Sequence, residues 1–433
     1  MIKKIFITLF LSAIIVLQVT PQKTITLQNC YEAAVNKSAL SAERELRSSI
    51  LAVKGNNLGK NWLPVIDAGA SFIYNSEVID LGEKFSMVPV PGLADAIKPL
   101  AHEQYKITLD ITQTIYDGGA TKAAREIENK TWKVNVNQTE ADLYKLRSQV
   151  DSYYFSVLML DRRRESLESF LEVIEKRIAA TESAVRNGLA LPSDINLMKA
   201  EKIKILQQIT EIGIRKNAML KILSDLTGIM FEPQDKLVLP EISDDEISPG
   251  LQRPELEYFD LRKELLASSI KAAETKLLPK AYGFATLGYG NPPGNNFLKD
   301  EFAPYYILGA GIKWNIFDWN RTKNEKQILM LEQNILEKKK ADLEENILRA
   351  LEAKKAEIQS LESLLESDRE LIRLRTGISA AAVSRYENGV ITAAEMLSEL
   401  NAEHQAKISH ELHRINLAMA KAEYLNICGK SIR

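Results

Sequence analysis

Residues 120–186 and 321–387 are two runs of 67 residues that hold one glycine between them, Gly377, and no proline. At a rise of 1.5 Å per residue a helix of that length reaches about 100 Å. Helices of globular proteins average about 11–12 residues, so runs this long belong to a coiled coil or to a tube of helices. Leu143, Leu146, Val150, Tyr153, Val157 and Leu160 keep an apolar stripe at three- and four-residue steps. Arg162, Arg163, Arg164 and Glu165 fall off the stripe and read as a solvated face. A shorter helical segment follows each run, 193–226 after Asn187-Gly188 and 393–427 after Asn388-Gly389. Each pair is expected to form a helical hairpin turning at Asn-Gly.

The two runs belong to an internal duplication. Tyr116-Asp117-Gly118-Gly119-Ala120-Thr121-Lys122 recurs 201 residues later as Phe317-Asp318-Trp319-Asn320-Arg321-Thr322-Lys323. Asn187-Gly188-Leu189 recurs at the same offset as Asn388-Gly389-Val390, and Asp225-Leu226-Thr227-Gly228 as Asn426-Ile427-Cys428-Gly429. Leu63-Pro64 recurs as Leu278-Pro279 at an offset of 215, so the first copy carries about 14 extra residues after its Leu-Pro. The repeats are 23–228 and 254–433. Between them, 229–253 reads as an irregular, solvated linker, with Pro233, Pro240, Pro249 and the run Asp244-Asp245-Glu246.

Each repeat has the same parts in the same order: a helix (29–60, then 254–277), a Leu-Pro break, a β-hairpin (63–117, then 279–317) and the long helical hairpin (119–227, then 320–428). In 105–116 Ile107, Leu109 and Ile111 alternate with Lys106, Thr108, Asp110 and Thr112; in 305–317 Tyr306, Leu308, Ala310, Ile312, Trp314 and Ile316 form one apolar face. The first strands, 65–74 and 281–289, are less regular, and the second of these is glycine-rich on both faces. About ten residues of period-two patterning with aromatic ends suit a membrane β-strand. A half-buried soluble strand gives the same alternation.

The N-terminus bears on the compartment. Met1-Ile-Lys-Lys4 is a short basic segment, Ile5–Val19 is apolar, and Thr20-Pro21-Gln22 ends the run. Fifteen apolar residues are few for a spanning helix and match a secretory leader, expected to end near 20–22, with a retained anchor as the alternative. No later stretch approaches eighteen apolar residues. A net charge of −2 on 433 residues, without a basic cluster, excludes a nucleic-acid footprint. Four His and two distant Cys leave little material for a metal site or a disulfide framework. No Ser/His/Asp, P-loop, GxGxxG or HExxH arrangement is present, so neither an enzyme nor a cofactor is expected. Gly118-Gly119 reads as a helix-start turn. Cys30 and Cys428 read as small buried residues, with a pairing of the two ends as the alternative.

Four strands cannot close a barrel, and lipid does not tolerate an open sheet edge. Barrels of the outer-membrane type begin at about eight strands, so a chain of this kind must associate, and three copies supply about twelve. In this order and spacing, the leader, the duplicated halves, Leu-Pro before a strand, Asp-Gly-Gly opening a long helix and Asn-Gly-x5-Asp at the turn resemble the TolC-like outer-membrane efflux proteins. The resemblance covers essentially the whole mature chain. It implies an α+β membrane protein: a homotrimer with a 12-stranded β-barrel in outer-membrane lipid, continued by an α-helical barrel in the periplasm. It also implies a passive exit duct for tripartite efflux or type I secretion, docking a periplasmic adaptor (membrane fusion) protein that an inner-membrane pump drives. A periplasmic coiled-coil scaffold without a channel is the rival reading. An adaptor subunit is the other rival, but adaptors usually combine one hairpin with a lipoyl-like β domain.

By the same resemblance the helix-hairpin turns form the periplasmic tip. Asn187, Gly188 and Leu189, with Asn388, Gly389 and Val390, would meet the adaptor; Ser193, Asp194, Tyr386 and Glu395 stand at the family's constriction positions. Helix capping explains these residues too: glycine admits the left-handed exit from a helix, Ser193 suits an N-cap and Asp194 a first turn. Ile391 stands where the family places an arginine and Ser398 where a second acid would sit, so the family's closing network is not expected here. The loop 75–104, with Pro89, Pro91, Gly92 and Pro99, is about 14 residues longer than its counterpart 290–304 and is expected on the outer surface.

Overall fold

The computed structural model describes residues 23–430 apart from 79–100, 233–234, 244, 246, 248–249 and 297–298. The leader expected at 1–22, most of the loop 75–104 and much of the acidic part of the linker lie outside the described residues. In chain order the elements are β1 (Thr24–Ile25), α1 (Leu27–Lys37), α2 (Ala39–Gly59), β2 (Val65–Tyr74), β3 (Glu103–Tyr116), α3 (Ala120–Tyr144), α4 (Leu146–Arg186) and α5 (Pro192–Thr227). Then follow β4 (Lys236–Leu237), α6 (Pro254–Glu274), β5 (Lys280–Asn291), β6 (Ala303–Lys313), α7 (Arg321–Glu387) and α8 (Ala393–Cys428).

Several counterpart elements of the two halves agree in length. α2 and α6 are each 21 residues long, and each runs into a three-residue 3-10 turn ending before Leu-Pro. α5 and α8 are each 36 residues. The expected 67-residue helix appears unbroken only in the second repeat, as α7. In the first, the hydrogen-bond ladder lapses at Lys145, which keeps right-handed helical angles (φ −62°, ψ −23°), and so divides α3 from α4. The helix expected over 29–60 also divides: Ser38 turns to an extended ψ of 132° and its N–H caps the Ala34 carbonyl at 3.0 Å. Short polar side chains favour such breaks by competing for backbone groups.

The chain forms two compact units. One comprises 39–144 and 252–350 and contains an antiparallel four-stranded sheet in the order β2-β3-β5-β6. Its register sorts the side chains by face. Ile66, Ile111, Ala285 and Leu308 stand side by side, as do Ala68, Leu109, Leu287 and Tyr306. The other face carries Asp67, Asp110 and Thr286 in one row and Gly69, Thr108 and Gly288 in the next. Asp110 accepts hydrogen bonds from Thr286 (2.6 Å) and Thr108 (2.9 Å). The glycines that blur β5 and β6 in the sequence have a packing reason. Tyr305 lies opposite Gly288, Phe284 opposite Gly309 and Tyr282 opposite Gly311, and a Cβ at Gly288 would fall 2.3 Å from the Tyr305 ring. β6 ends at Lys313, earlier than the expected Phe317, because its partner begins at Lys280 and is preceded by Pro279, which has no N–H to donate. β2 and β6 are the edges of this sheet, and every residue of β2 is exposed.

The other unit comprises residues up to 38, 145–251 and 351 onward. Its core joins Leu27, Cys30 and Tyr31 of α1 to Val150, Phe155 and Leu158 of α4, Leu223 of α5 and Ile415 and Leu425 of α8. The linker is more ordered than expected: β4 pairs in parallel with β1. The Tyr154 hydroxyl lies 2.6 Å from the Val238 carbonyl and 2.9 Å from that of Ile25, and it accepts from the Val238 N–H at 3.0 Å. Cys30 and Cys428 are both free and buried.

Beside this core, Asp151 is 2 % exposed and accepts hydrogen bonds from the Tyr31 hydroxyl and the Asn426 amide, joining α1, α4 and α8. Burial pushes its carboxyl up to about 7, against the opposing hydrogen bonds, because the charged form loses its hydration. The folded chain then holds a proton there that the unfolded chain releases near pH 4, so stability falls as pH rises from about 4 to about 7. Asp151→Asn should remove this dependence. In thermal melts of the purified protein, the variant's midpoint should gain on wild type across that window and run parallel above it. Parallel curves throughout would show that Asp151 is ionised in the fold.

Candidate functional site

The two helical hairpins turn by the same device. At the end of α4 the Leu189 N–H reaches back to Ala184 O (2.8 Å) and the Gly188 N–H to Val185 O (3.0 Å). At the end of α7 the Val390 N–H reaches Arg385 O (2.8 Å) and the Gly389 N–H reaches Tyr386 O (2.9 Å). These paired bonds satisfy carbonyls that a helix end leaves orphaned. They require a left-handed residue, supplied by Gly188 at φ 72° and Gly389 at φ 70°. Asn187, Leu189, Asn388 and Val390 are exposed around the turns.

The descending helices start differently. α8 opens with a reciprocal cap: Thr392 accepts from the Glu395 N–H (3.2 Å), and Glu395 accepts from the Thr392 N–H (2.8 Å). These bonds hold the exposed Glu395 carboxylate below its ordinary range. α5 has only half of this cap. Asp194 accepts from the Leu191 N–H at 3.3 Å, while Leu191 itself is the N-cap and Pro192 the first helical residue. Ser193 is therefore not the N-cap; proline suits the first helical position, where no N–H is needed, and this sets the helix start one residue earlier than expected.

Tyr386 and Asp194 meet, and Glu395 does not join them. They line a cavity of about 340 Å³ between the hairpins, together with Arg177, Thr181, Leu191 and Ile391. The Tyr386 hydroxyl is buried beside Thr181 and Asp194 without a well-aligned hydrogen bond to either. Burial first, and the Asp194 charge with it, raise its pKa above the ordinary phenol value. Arg177 crosses from α4 to Glu387 at 2.9 Å, tying one hairpin to the other. Ile391 packs on an apolar cluster around Met198 and Met396. Ser398 lies in a separate cavity with His404. Sequence reasoning missed Arg177 and Thr181, and it placed Glu387 in the second tip turn without a partner. The signal was faint: Arg177, Thr181 and Ala184 share one face of α4, but nothing in their order names a partner. Among the described residues no cluster of His, Cys, Asp or Glu suits a metal ion, and no helix is long and apolar enough to cross a membrane.

One chain thus combines a sheet apolar on one face and open at both edges with two long helical hairpins that turn at glycine. It is similar to the TolC-like outer-membrane efflux proteins. A family model described as outer membrane efflux protein matches residues 35–196. Solved structures of such proteins share the fold over nearly the whole length. CusC, a transmembrane channel, aligns with a TM-score of 0.69 at 13 % identity, covering 94 % of this chain and 92 % of that one. The outer membrane protein VceC of Vibrio cholerae aligns with a TM-score of 0.65 at 15 % identity, covering 94 % and 97 %. The open state of the Neisseria gonorrhoeae MtrE outer membrane channel aligns with a TM-score of 0.64 at 14 % identity, covering 94 % and 89 %. No curated protein matches the sequence.

The turns give a direct expectation. A Cβ at Gly188 or Gly389 would meet nothing within 4 Å, so the only penalty of alanine is the left-handed backbone, about 1–2 kcal/mol. Gly389→Ala should leave the folded content unchanged and speed amide exchange over the last turn of α7 and the first of α8. Gly389→Asn should do so less. Equal exchange in the alanine variant would mean that the turn is not left-handed.

Proposed function

We propose that this chain is the outer-membrane channel subunit of an export system, a passive duct that works as a homotrimer. The observation that carries the reading is the open sheet. Ile66, Ile111, Ala285 and Leu308 give it one apolar face, and Asp67, Asp110 and Thr286 give the other a polar stretch. Such a sheet suits lipid outside and water inside, but only when its edges find strands from other copies. Three chains contribute twelve strands.

The helical hairpins then extend into the periplasm, and the turns Asn187–Leu189 and Asn388–Val390 form the face that docks an adaptor coupled to an inner-membrane pump. Ser193, Asp194, Tyr386 and Glu395 stand at the narrow end. With no gating arginine at 391, the tie between hairpins falls to Arg177 and Glu387, and the Tyr386 ring fills the space beside Asp194. Three copies bring six carboxylates, from Asp194 and Glu395, near one axis. A ring of acids favours cations and disfavours anions.

Two measurements test the reading. Native mass of protein from outer-membrane fractions should give three copies, and planar-bilayer recording should give discrete, cation-preferring channels. Asp194→Asn with Glu395→Gln should lose that preference and the block by multivalent cations. A soluble protein without conductance would favour the scaffold instead, and unchanged selectivity in a well-formed trimer would leave both acids as helix caps.

A further inference from the structure

Beside the linker, the second repeat carries a basic cavity that the channel reading does not use. It has a volume of about 820 Å³ and lies between residues 239–243 and the flanks of α7 and α8. One stripe of α8 supplies His410, Arg414, Leu417 and Lys421, and one turn of α7 supplies Leu365 and Arg369. Ile242, Leu365 and Leu417 give the lining its apolar part. Two of the basic groups lack a partner. Arg369 makes no ion pair or hydrogen bond among the described residues, whereas Arg373 and Arg375 on the same helix pair with Glu370 and Glu399. His410 has a buried Nδ1 without a hydrogen bond. Asp368 is 3.7 Å from that nitrogen and hydrogen-bonds His413 at 2.7 Å instead. Arg414 and Lys421 lie against Glu411 (3.2 Å) and Glu362 (3.5 Å), which are not part of the lining. Glu241, in the lining, and Asp245, just beyond it, are exposed and form no ion pair among the described residues. A buried polar atom left without a partner asks for one from outside the chain.

The duplication indicates that the fold does not need these charges. At the 201-residue offset Arg369 corresponds to Glu168, His410 to Ile209, Arg414 to Gly213 and Lys421 to Leu220. α5 and α8 nevertheless have the same 36 residues. A basic set required to hold a helical hairpin together would recur in the first hairpin, and it does not. The four basic side chains gather only where the linker lies against the hairpin and makes a concave space.

We propose that this cavity binds a phosphate ester with an apolar body, either free or as a lipid headgroup. Arg369 and Arg414 hold the phosphate oxygens through their guanidinium forks, Lys421 adds a point charge, and His410 donates from its ring. Ile242, Leu365 and Leu417 cover the apolar part. The volume falls within the roughly 300–1,000 Å³ usual for small-molecule sites. The site lies in one unit of a single chain and stands whether or not copies associate.

Calorimetric titration of the purified full chain with hexyl phosphate tests the proposal, with inorganic phosphate and hexanol as the two halves of the probe. Hexyl phosphate should saturate one site per chain, about tenfold or more tighter than inorganic phosphate, and hexanol should not bind. Arg369→Gln with Arg414→Gln should weaken binding about tenfold or more, and Arg369→Lys should weaken it less. Arg162→Gln with Arg164→Gln, on the exposed face of α4, should leave it unchanged. All four arginines are exposed, so the melting midpoints of these variants should match wild type. Native mass of the chain taken from its own cells separates the sources. A retained lipid adduct that the double glutamine variant at 369 and 414 loses marks a lipid headgroup, and a bare chain that binds the probe marks a soluble ester. Titration without saturation, equal affinity in that variant, or binding of hexanol alone would overturn the proposal. So would binding that appears only in Asp244→Asn with Glu246→Gln, since the chain's own acids would then be the occupant.

Discussion

Backbone N–H and C=O groups along the outer edges of β2 and β6 have no partner strand within the described chain. In water such edges invite association; in hydrocarbon each unsatisfied group costs several kcal/mol, and no monomeric arrangement of four strands removes them. The apolar face of the sheet would be at home in lipid only with those edges paired. The same incompleteness recurs in the helices, where α5 and α7 leave isoleucine and leucine side chains bare.

Charge contributes little to holding the helices. Pairs such as Arg162–Glu165, Arg164–Glu168 and Arg373–Glu370 lie along exposed faces, where solvent screens an ion pair and it contributes little. The stabilising contacts are the buried apolar ones, Ile174, Met198, Ile205 and Met396 near the tip and Val150, Phe155, Leu223 and Leu425 further along. Two of the buried polar side chains have clear partners. Asp151 is met by Tyr31 and Asn426, and the Tyr154 hydroxyl by the backbone of β1 and β4, so polar groups fix the meeting of α1, α4 and α8 that apolar packing alone would leave adjustable.

Much of this was legible in order and spacing. The 201-residue offset, read from Asn-Gly, from the Asp before each long helix and from the Asp/Asn-x-x-Gly at the close of each hairpin, foretold the equal 36 residues of α5 and α8, though only the second repeat keeps its long helix unbroken. Glycine at 188 and 389 foretold the left-handed turns. Legibility failed where a distant partner decides. Gly288 of β5 looks irregular in a one-dimensional pattern because the ring that fills its space, Tyr305, comes from β6, as Phe284 and Tyr282 of β5 fill the space at Gly309 and Gly311. Ser193 looks like a cap because its type is right, yet Leu191 and Pro192 set the helix start. Arg177 and Glu387 are ordinary surface charges until two hairpins bring them within 2.9 Å.

By itself the sequence determined what depends on local periodicity: long helices, alternating strands, their order and their duplication, since these follow from side-chain spacing along one chain. Only the tertiary structure decided which faces meet. It placed Tyr386 beside Asp194 and left Glu395 to its own helix end, stitched the linker to the N-terminus through β1 and β4, and buried Ile415 while leaving its counterpart Ile214 bare. The physical reason is that burial and hydrogen-bond partnership are relations between segments hundreds of residues apart, and two counterpart residues of like type meet different fates when only one of them has a neighbour to cover it.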